Sequence, residues 1–254
     1  MNYNDMTEDA LTVALGYKDV LKYEGYEKLE ERLKKAIFEK GDAVSLDIYT
    51  KLYAVRYNKQ YISYERLFGL CKLLGISNLY DIGCGDAYQA FMLTDYTLSG
   101  HWNVFYTGID CHGDFTYINE IFKEYGEKIK FLNAFYPFEI TPAPNNIAIS
   151  CYAIGMERDE EKIKNIETAL SRDFERILIN VHPSFTHRWE KNIEGFEIHK
   201  IRNTKYIFGT KFPEEISKLK DMGYDYFNDE FALSVASSFR ICEDVSASGI
   251  YCTK

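Results

Sequence analysis

The chain has 254 residues, 46% of them hydrophobic and 27% charged, which favours a packed core and excludes a wholly disordered protein. Its net charge of −9 weakens long-range attraction to nucleic acid but does not exclude a local basic patch. The sequence has no apolar run of membrane-spanning length and no signal-peptide pattern, so we expect a cytoplasmic protein without a membrane partner. The six cysteines are scattered without a CxxC pair, which predicts reduced thiols and no metal site.

The first part of the chain, residues 1–60, is predicted to be a helical extension. Within the charged segment 26–40, apolar Leu29, Leu33 and Ile37 recur at four-residue steps and form one stripe along a helix. Two interpretations stay open for this extension. It either packs on the main domain or forms a lid over a substrate pocket.

From about residue 62, short apolar strands alternate with amphipathic helices. This alternation predicts an α/β domain with right-handed crossovers and a mainly parallel sheet. The predicted strands are 78–82, 104–109, 129–132, 146–151 and 176–181, and the predicted helices are 63–74, 87–93, 117–125, 160–170 and 213–222. The run His199–Phe208 fits either a further strand or an inserted loop. Two β-like runs at 234–242 and 249–253 predict a closing antiparallel hairpin at one sheet edge.

A glycine-rich turn follows the first predicted strand, which ends at Asp81 and leads into Gly83-Cys84-Gly85. Glycines at this point let the backbone turn sharply and approach a ligand beyond the carboxyl end of the strand. A plain connection between a strand and a helix would show the same glycines. This segment alone therefore predicts only a nucleotide-type pocket.

The ends of the next two strands favour an adenosine ligand. Asp110 ends the second strand, and a carboxylate there can accept both hydrogen bonds of a ribose diol. The third strand runs into Asn133, Ala134 and Phe135, where a polar side chain can meet the adenine edge and an aromatic ring can stack on its face.

Two adenosine cofactors fit this order of strand ends. A dinucleotide needs a third glycine where this chain has Tyr88, and a carboxylate at Asp86 would repel a pyrophosphate. S-adenosylmethionine (SAM) has no phosphates. It carries an ammonium group, and the carboxylate of Asp81 or Asp86 can attract this cation. The acidic turn therefore favours SAM over NAD.

The segment Tyr80–Asp86, with the sequence YDIGCGD, resembles motif I of the class I SAM-dependent methyltransferases, and Gly108–Asp110 resembles the acid after their second strand. The resemblance covers about residues 62–254 and implies a SAM-binding domain at 61–254 after the extension at 1–60. It implies a Rossmann-like, seven-stranded mixed sheet with helices on both faces and an antiparallel last strand. The C-terminal hairpin would supply strands six and seven.

The same resemblance implies roles for individual residues. The residues implied in cofactor binding are Asp81, Gly83, Cys84 and Gly85 at the methionine end, Asp110 at the ribose, Cys111, Asn133 and Ala134 around the adenine, and Ser150 beneath the sulfonium. The chain departs from the family at Ala87, where a third glycine is frequent, and at Asn133, where Asp is frequent.

Candidate catalytic residues follow the fourth and fifth strands. Methyl transfer from a sulfonium needs alignment first, and it needs a base only where the acceptor is protonated. Tyr152 and Glu157 follow the fourth strand and His182 follows the fifth, so these three are the candidates. The structural alternatives are a tyrosine packed against cofactor or core and a loop histidine bonded to backbone.

The acceptor is predicted to be a small molecule because the protein is acidic and rich in aromatic residues. The Asn-Pro-Pro-Tyr signature of enzymes that methylate nitrogens in nucleic acids and proteins is absent, and Ser150–Ala153 stands in its place. An RNA or protein acceptor stays open. So does a non-catalytic SAM-binding or regulatory protein, or a partner subunit of an active enzyme.

Overall fold

The structure, a computed structural model, describes residues 26–42, 45, 64–85, 104–111, 115–150, 153–180, 193–201 and 206–224. This part of the chain contains five α-helices and seven strands. The helices are α1 (Tyr26–Lys40), α2 (Tyr64–Leu73), α3 (Thr116–Ile121), α4 (Glu160–Asp173) and α5 (Glu214–Asp221). The strands are β1 (Asn78–Ile82), β2 (Phe105–Asp110), β3 (Ile129–Asn133), β4 (Asn146–Ser150), β5 (Arg176–Asn180), β6 (Glu197–Lys200) and β7 (Tyr206–Thr210). Two 3-10 helices lie at Lys123–Lys128 and Ile154–Met156.

All seven strands form one sheet in the order β3-β2-β1-β4-β5-β7-β6. Strand β7 is antiparallel to both of its neighbours, while the pairs among β1 to β5 are parallel. The strand order reverses between β1 and β4, and ligands of such sheets bind outside the carboxyl ends of the strands at this point. The turn after β1 therefore lies where this topology provides a binding crevice.

The first five predicted strands are confirmed, each within one residue at either end. Their sequences are short apolar runs, and every residue of β4 and of β5 is buried. Because successive side chains of a strand point to opposite faces, this burial shows that both faces of the sheet are covered. The predicted helix at 87–93 lies outside the described residues.

The prediction that the C-terminal runs supply strands six and seven is wrong, because β6 and β7 occupy those places in the sheet. The C-terminal runs themselves lie outside the described residues. All five residues of β7 are buried, so this strand shows no alternation of apolar and polar side chains. Periodicity does not distinguish such a strand from a buried loop, which is why the sequence of His199–Phe208 fits both.

Helix α4 covers one face of the sheet. Its buried residues Ile163, Ile166 and Leu170 belong to the cluster that includes Tyr80 of β1 and Ile177 of β5. Asp159 caps the helix by accepting hydrogen bonds from the backbone N–H groups of two first-turn residues. The cap fixes where the chain leaves the carboxyl edge of β4 to run back along the sheet.

The described residues fall into two units. One contains α1 and α3, and the other contains the sheet with α2, α4 and α5. The predicted helix at 26–40 is confirmed, and Leu33 of its stripe is buried, whereas the side chains of Leu29 and Ile37 lie outside the described set. The domain boundary near residue 60 and the lid stay predictions. No helix in the described ranges is long and apolar enough to cross a membrane.

A buried ion pair joins β5 to α5 at the amino edge of the parallel strands. The guanidinium of Arg176 donates to both carboxylate oxygens of Glu215 at 2.7 to 3.0 Å, and both side chains are buried. Thr210 at the end of β7 donates to the same carboxylate at 2.6 Å. The start of β5, the end of β7 and helix α5 are thus held together at the edge opposite the glycine turn.

Candidate cofactor-binding site

The glycine turn after β1 depends on two residues in left-handed backbone conformations. Gly83 has a φ of +76° and Gly85 a φ of +53°, which residues with a side chain rarely adopt. The N–H groups of Gly83 and Cys84 both donate to the carbonyl of Ile109, at 2.7 and 3.2 Å. The turn therefore folds over the carboxyl end of β2.

Gly83 is also restricted by a close neighbour. A Cβ at this position would lie 2.1 Å from the Cβ of Ala153, in the turn that follows β4. Gly155 in the same turn is restricted similarly, because its Cβ would lie 2.1 Å from the carbonyl oxygen of Asn180. The turn at 153–156 is therefore packed between the glycine turn and the end of β5.

Replacing Gly83 with alanine is expected to destabilise the protein by at least about 2 kcal/mol, because left-handed strain adds to the contact with Ala153. Urea unfolding would measure this loss. Gly75→Ala is the matched control, since Gly75 has a φ of +67° but nothing within 4 Å of its added Cβ. Equal losses for both variants would contradict a role for the contact with Ala153.

Gly108 in the middle of β2 gives the turn room to approach the sheet. A Cβ here would lie 2.6 Å from the ring of Phe131 and 2.9 Å from the sulfur of Cys84. Because Gly108 has no side chain, the side chain of Cys84 packs against β2 and is buried. Sequence reasoning assigned Gly108 only to the family resemblance. A glycine inside a strand pattern was the signal for close approach of another segment.

Asp110 connects the glycine turn to the end of β2. Its carboxylate accepts a hydrogen bond of 2.9 Å from the N–H of Gly85, and its carbonyl accepts one of 3.0 Å from the N–H of Ala134. An ionised carboxylate offers about four acceptor positions, so this side chain can also receive ribose hydroxyls. One residue thus links the carboxyl ends of β1, β2 and β3.

Asp81 lies beneath the turn and is 2% exposed. The hydroxyl of Tyr106 donates to its carboxylate at 2.7 Å. Burial raises the pKa of Asp81 from 3.8 to about 7, the bond from Tyr106 opposes that rise, and the charge of Asp110 adds to it. The sequence did not reveal Tyr106 as part of the site, because a tyrosine in a buried strand usually indicates core packing.

The residues predicted around the adenine lie at the ends of β2 and β3. Asp110 pairs with Asn133 in the sheet register. The next residues in the chain, Cys111 and Ala134, therefore come directly after neighbouring strand ends. Cys111 and Asn133 are exposed, and the ring of Phe135 is 62% exposed. These residues therefore lie at one edge of the sheet, and their contacts with an adenine stay predictions.

Ser150 and Glu157 organise the connection after β4. The Ser150 hydroxyl accepts a hydrogen bond of 3.2 Å from the N–H of Ile154. The Glu157 carboxylate accepts bonds of 2.8 and 3.0 Å from the N–H groups of Arg158 and Asp159, and these bonds lower its pKa. A lowered pKa makes a carboxylate a weaker base.

The catalytic assignments stay predictions. Glu157 has the local structural role just described, while Tyr152 and His182 lie outside the described residues, as do Asp86, Ala87 and Tyr88. No group of three or more His, Cys, Asp or Glu side chains that could hold a metal ion occurs in the ranges that the structure describes.

The strand order, the antiparallel β7 and the glycine turn after β1 together define the fold of class I SAM-dependent methyltransferases. The seven-stranded, Rossmann-like mixed sheet that the resemblance implied is therefore confirmed.

Comparison with solved structures finds SAM-dependent methyltransferases at low sequence identity and low TM-score. The SAM-dependent methyltransferase SibL is 14% identical, with a TM-score of 0.42 over 59% of this chain and 54% of its own. Human N-acetylserotonin methyltransferase is 14% identical, with a TM-score of 0.39 over 80% of this chain and 64% of its own. Magnesium protoporphyrin IX methyltransferase from Synechocystis is 16% identical, with a TM-score of 0.42 over 81% of this chain and 96% of its own. The chain spans less than two thirds of the first two proteins. No protein-family profile and no curated protein sequence matches it.

Proposed function

We propose that this chain binds SAM at the carboxyl edge of β1, β2 and β3 and transfers its methyl group to a small-molecule acceptor. The observation that carries the proposal is the bond from the Gly85 N–H to the Asp110 carboxylate. This hydrogen bond joins the two features that an adenosine ligand with a cationic tail requires. These are a turn that the ligand can approach closely and an acid at the next strand end.

The residues of this edge fit SAM in charge and in shape. The buried Asp81 offers a carboxylate to an ammonium group, and Gly85, where an added Cβ would meet nothing within 4 Å, places no side chain between the ligand and the backbone. Asp110 would hold the ribose, with Asn133 and Ala134 beside the adenine. When bound, SAM supplies an electrophilic methyl group, and the protein's part is to hold that group in line with the acceptor and to exclude water.

The proposal of a small acceptor is supported by the net charge of −9 and by the 21 tyrosine and 17 phenylalanine residues. An acidic surface repels the phosphates of RNA, and aromatic side chains suit a planar or apolar acceptor. Tyr152 and His182 are the candidates for contact with the acceptor because they follow β4 and β5 in the chain. In this proposal His182 takes a proton from the acceptor where the acceptor carries one.

Replacing Asp110 with alanine is expected to weaken SAM binding about 100-fold, because a charge-assisted bond to the ribose is lost and the bond to Gly85 is broken. Calorimetry with SAM, S-adenosylhomocysteine and NAD would measure this loss. The exposed Asp159 at the start of α4 gives the control variant Asp159→Ala, for which unchanged affinity is expected. Failure of the unaltered protein to bind SAM would refute the proposed function. Retained affinity in Asp110→Ala would refute the ribose assignment alone.

A non-catalytic SAM-binding protein is the second candidate. It is favoured by Ala87, which stands where the family frequently has a third glycine. Incubation with methyl-labelled SAM and a cell extract, followed by separation into small molecules, RNA and protein, distinguishes the candidates. Label in the small-molecule fraction supports the proposed enzyme, and label in another fraction identifies a macromolecular acceptor. SAM binding without transfer to any fraction supports the second candidate.

A further inference from the structure

Tyr106 and Asp81 project from neighbouring strands on the same face of the sheet. Asp81 pairs with Gly108 in the register of β1 and β2, and Tyr106 lies two residues before Gly108. Side chains two residues apart point to one face, and Gly108 adds no side chain between them. The ring of Tyr106 packs against Phe131 at a centroid distance of 5.9 Å. The phenol is thereby fixed where its hydroxyl meets the Asp81 carboxylate at 2.7 Å.

The hydroxyl of Tyr106 is not explained by packing. The residue is 1% exposed, and a phenylalanine would fill the same space without the cost of removing a hydroxyl from water. Its oxygen instead donates to the buried carboxylate of Asp81, which underlies the glycine turn. A donor in this place orients that carboxylate and favours its ionised form, which is the form that attracts a cation.

We propose that Tyr106 is a positioning residue that holds the Asp81 carboxylate ready for the ammonium group of the cofactor's methionine end. This inference rests on the proposed function, since it assigns Asp81 to the ammonium of SAM. Tyr106 acts through Asp81 and does not itself contact the ligand.

The groups that face Asp81 predict how binding depends on pH. Tyr106 and Asp110 face it from β2, while its neighbour in β4 is the apolar Ile149. Burial and Asp110 raise the pKa of Asp81 and Tyr106 opposes them, with the balance near 7. Binding of an ammonium is therefore expected to tighten as the pH rises through about 7, because only the ionised carboxylate attracts it.

The test measures binding of S-adenosylhomocysteine by calorimetry between about pH 5.5 and about pH 8.5, in the unaltered protein and in Tyr106→Phe. This ligand keeps the ammonium group, and no neighbouring sulfonium charge alters the titration of its amino group. Loss of the phenol bond is expected to raise the midpoint of the pH dependence by about one unit. Affinity then falls about five-fold at pH about 7 and returns to within about two-fold at pH about 8.5.

Tyr80→Phe is the matched control. Tyr80 is also a buried tyrosine in a strand of the same sheet, but its hydroxyl accepts a bond from the N–H of Ala143 and not from the site. Its removal is expected to leave the pH midpoint unchanged. A second control is the ligand 5′-methylthioadenosine, which lacks the amino-acid end. Its affinity is expected to be insensitive to Tyr106→Phe and to pH.

Two further results decide the proposal. Site-specific 3-fluorotyrosine at position 106 keeps the shape of the side chain and strengthens the donor, so the pH midpoint is expected to fall. In an Asp81→Asn background, Tyr106→Phe is expected to have no effect on affinity. If Tyr106→Phe binds as the unaltered protein does at every pH, or if the fluorinated protein shows no shift, the positioning role is refuted. Failure of all adenosine ligands to bind the unaltered protein refutes the proposed function instead.

Discussion

Asp81→Asn is expected to stabilise the ligand-free protein at pH values above about 7 and to weaken SAM binding about 10- to 100-fold. The two effects have one origin. Asp81 is a buried carboxylate, and the hydrogen bond from the Tyr106 hydroxyl only partly compensates its charge. Ionisation of Asp81 is therefore costly until a cation binds. Asparagine has nearly the same shape and keeps an oxygen that can accept from Tyr106, but it carries no charge to attract an ammonium.

The direction of the pH effect follows from the raised pKa of Asp81. Below pH 3.8 the carboxyl group is protonated in both the folded and the unfolded chain, so the unaltered protein and Asp81→Asn differ little in stability. Between 3.8 and about 7 only the unfolded chain ionises, and the unaltered protein loses stability as the pH rises. Above about 7 the whole difference is present, and it amounts to up to about 4 kcal/mol in favour of asparagine.

Urea unfolding at pH about 5 and pH about 8 would measure this difference. Asp173→Asn is the matched control, because Asp173 is also buried and bonded to a tyrosine, Tyr136, but forms an ion pair with Arg172. Loss of that pair is expected to destabilise the protein. If Asp81→Asn were less stable than the unaltered protein at both pH values, the ionised carboxylate would have to be well compensated in the fold.

Glu215→Ala is expected to lower the free energy of unfolding by about 3 to 5 kcal/mol, since it leaves the buried guanidinium of Arg176 without its main partner. It also removes the acceptor of the Thr210 hydroxyl. The effect on SAM affinity of the folded fraction is expected to be small. Arg176 begins β5 and thus lies at the amino edge of the strands, opposite the glycine turn.

Urea unfolding measures the loss, and calorimetry with SAM measures the affinity of the folded fraction. Glu120→Ala removes an ion pair to Lys123 whose side chains are 60% and 73% exposed, and a change within about 0.5 kcal/mol is expected. The double variant Arg176→Met/Glu215→Leu is expected to recover much of the lost stability, because it removes both charges together. Equal unfolding free energies for Glu215→Ala and Glu120→Ala would show that the buried pair does not hold this edge.

The sequence predicted those parts of the fold that short-range patterns determine. Strands β1 to β5 are apolar runs bounded by turn residues or helices, and α4 begins at an aspartate cap. Strands β7 and β6, at one side of the sheet, were harder to predict, because β6 has only four residues and β7 is buried throughout. Pairing of β7 with β5 is set by long-range contacts, which periodicity does not report. The β-like C-terminal runs were therefore preferred in error.

The candidate site shows the same division. The glycine turn and Asp110 were found because backbone conformation and strand ends leave marks in the sequence. The partners Tyr106 and Ala153 were not found, because their roles depend on register and on the approach of segments distant in the chain. Glu157 was chosen for its place after β4, and its bonds to the following backbone could be seen only in three dimensions.

The contacts of the turn at 153–156 also determine which positions around the glycine turn tolerate substitution. Gly83 meets Ala153 on one side of this turn, and Gly155 meets the carbonyl of Asn180 on the other. Neither contact has space for one added carbon atom, so variants at these positions will be lost from any selected library for reasons of folding alone. Randomisation is better directed at positions outside these two contacts.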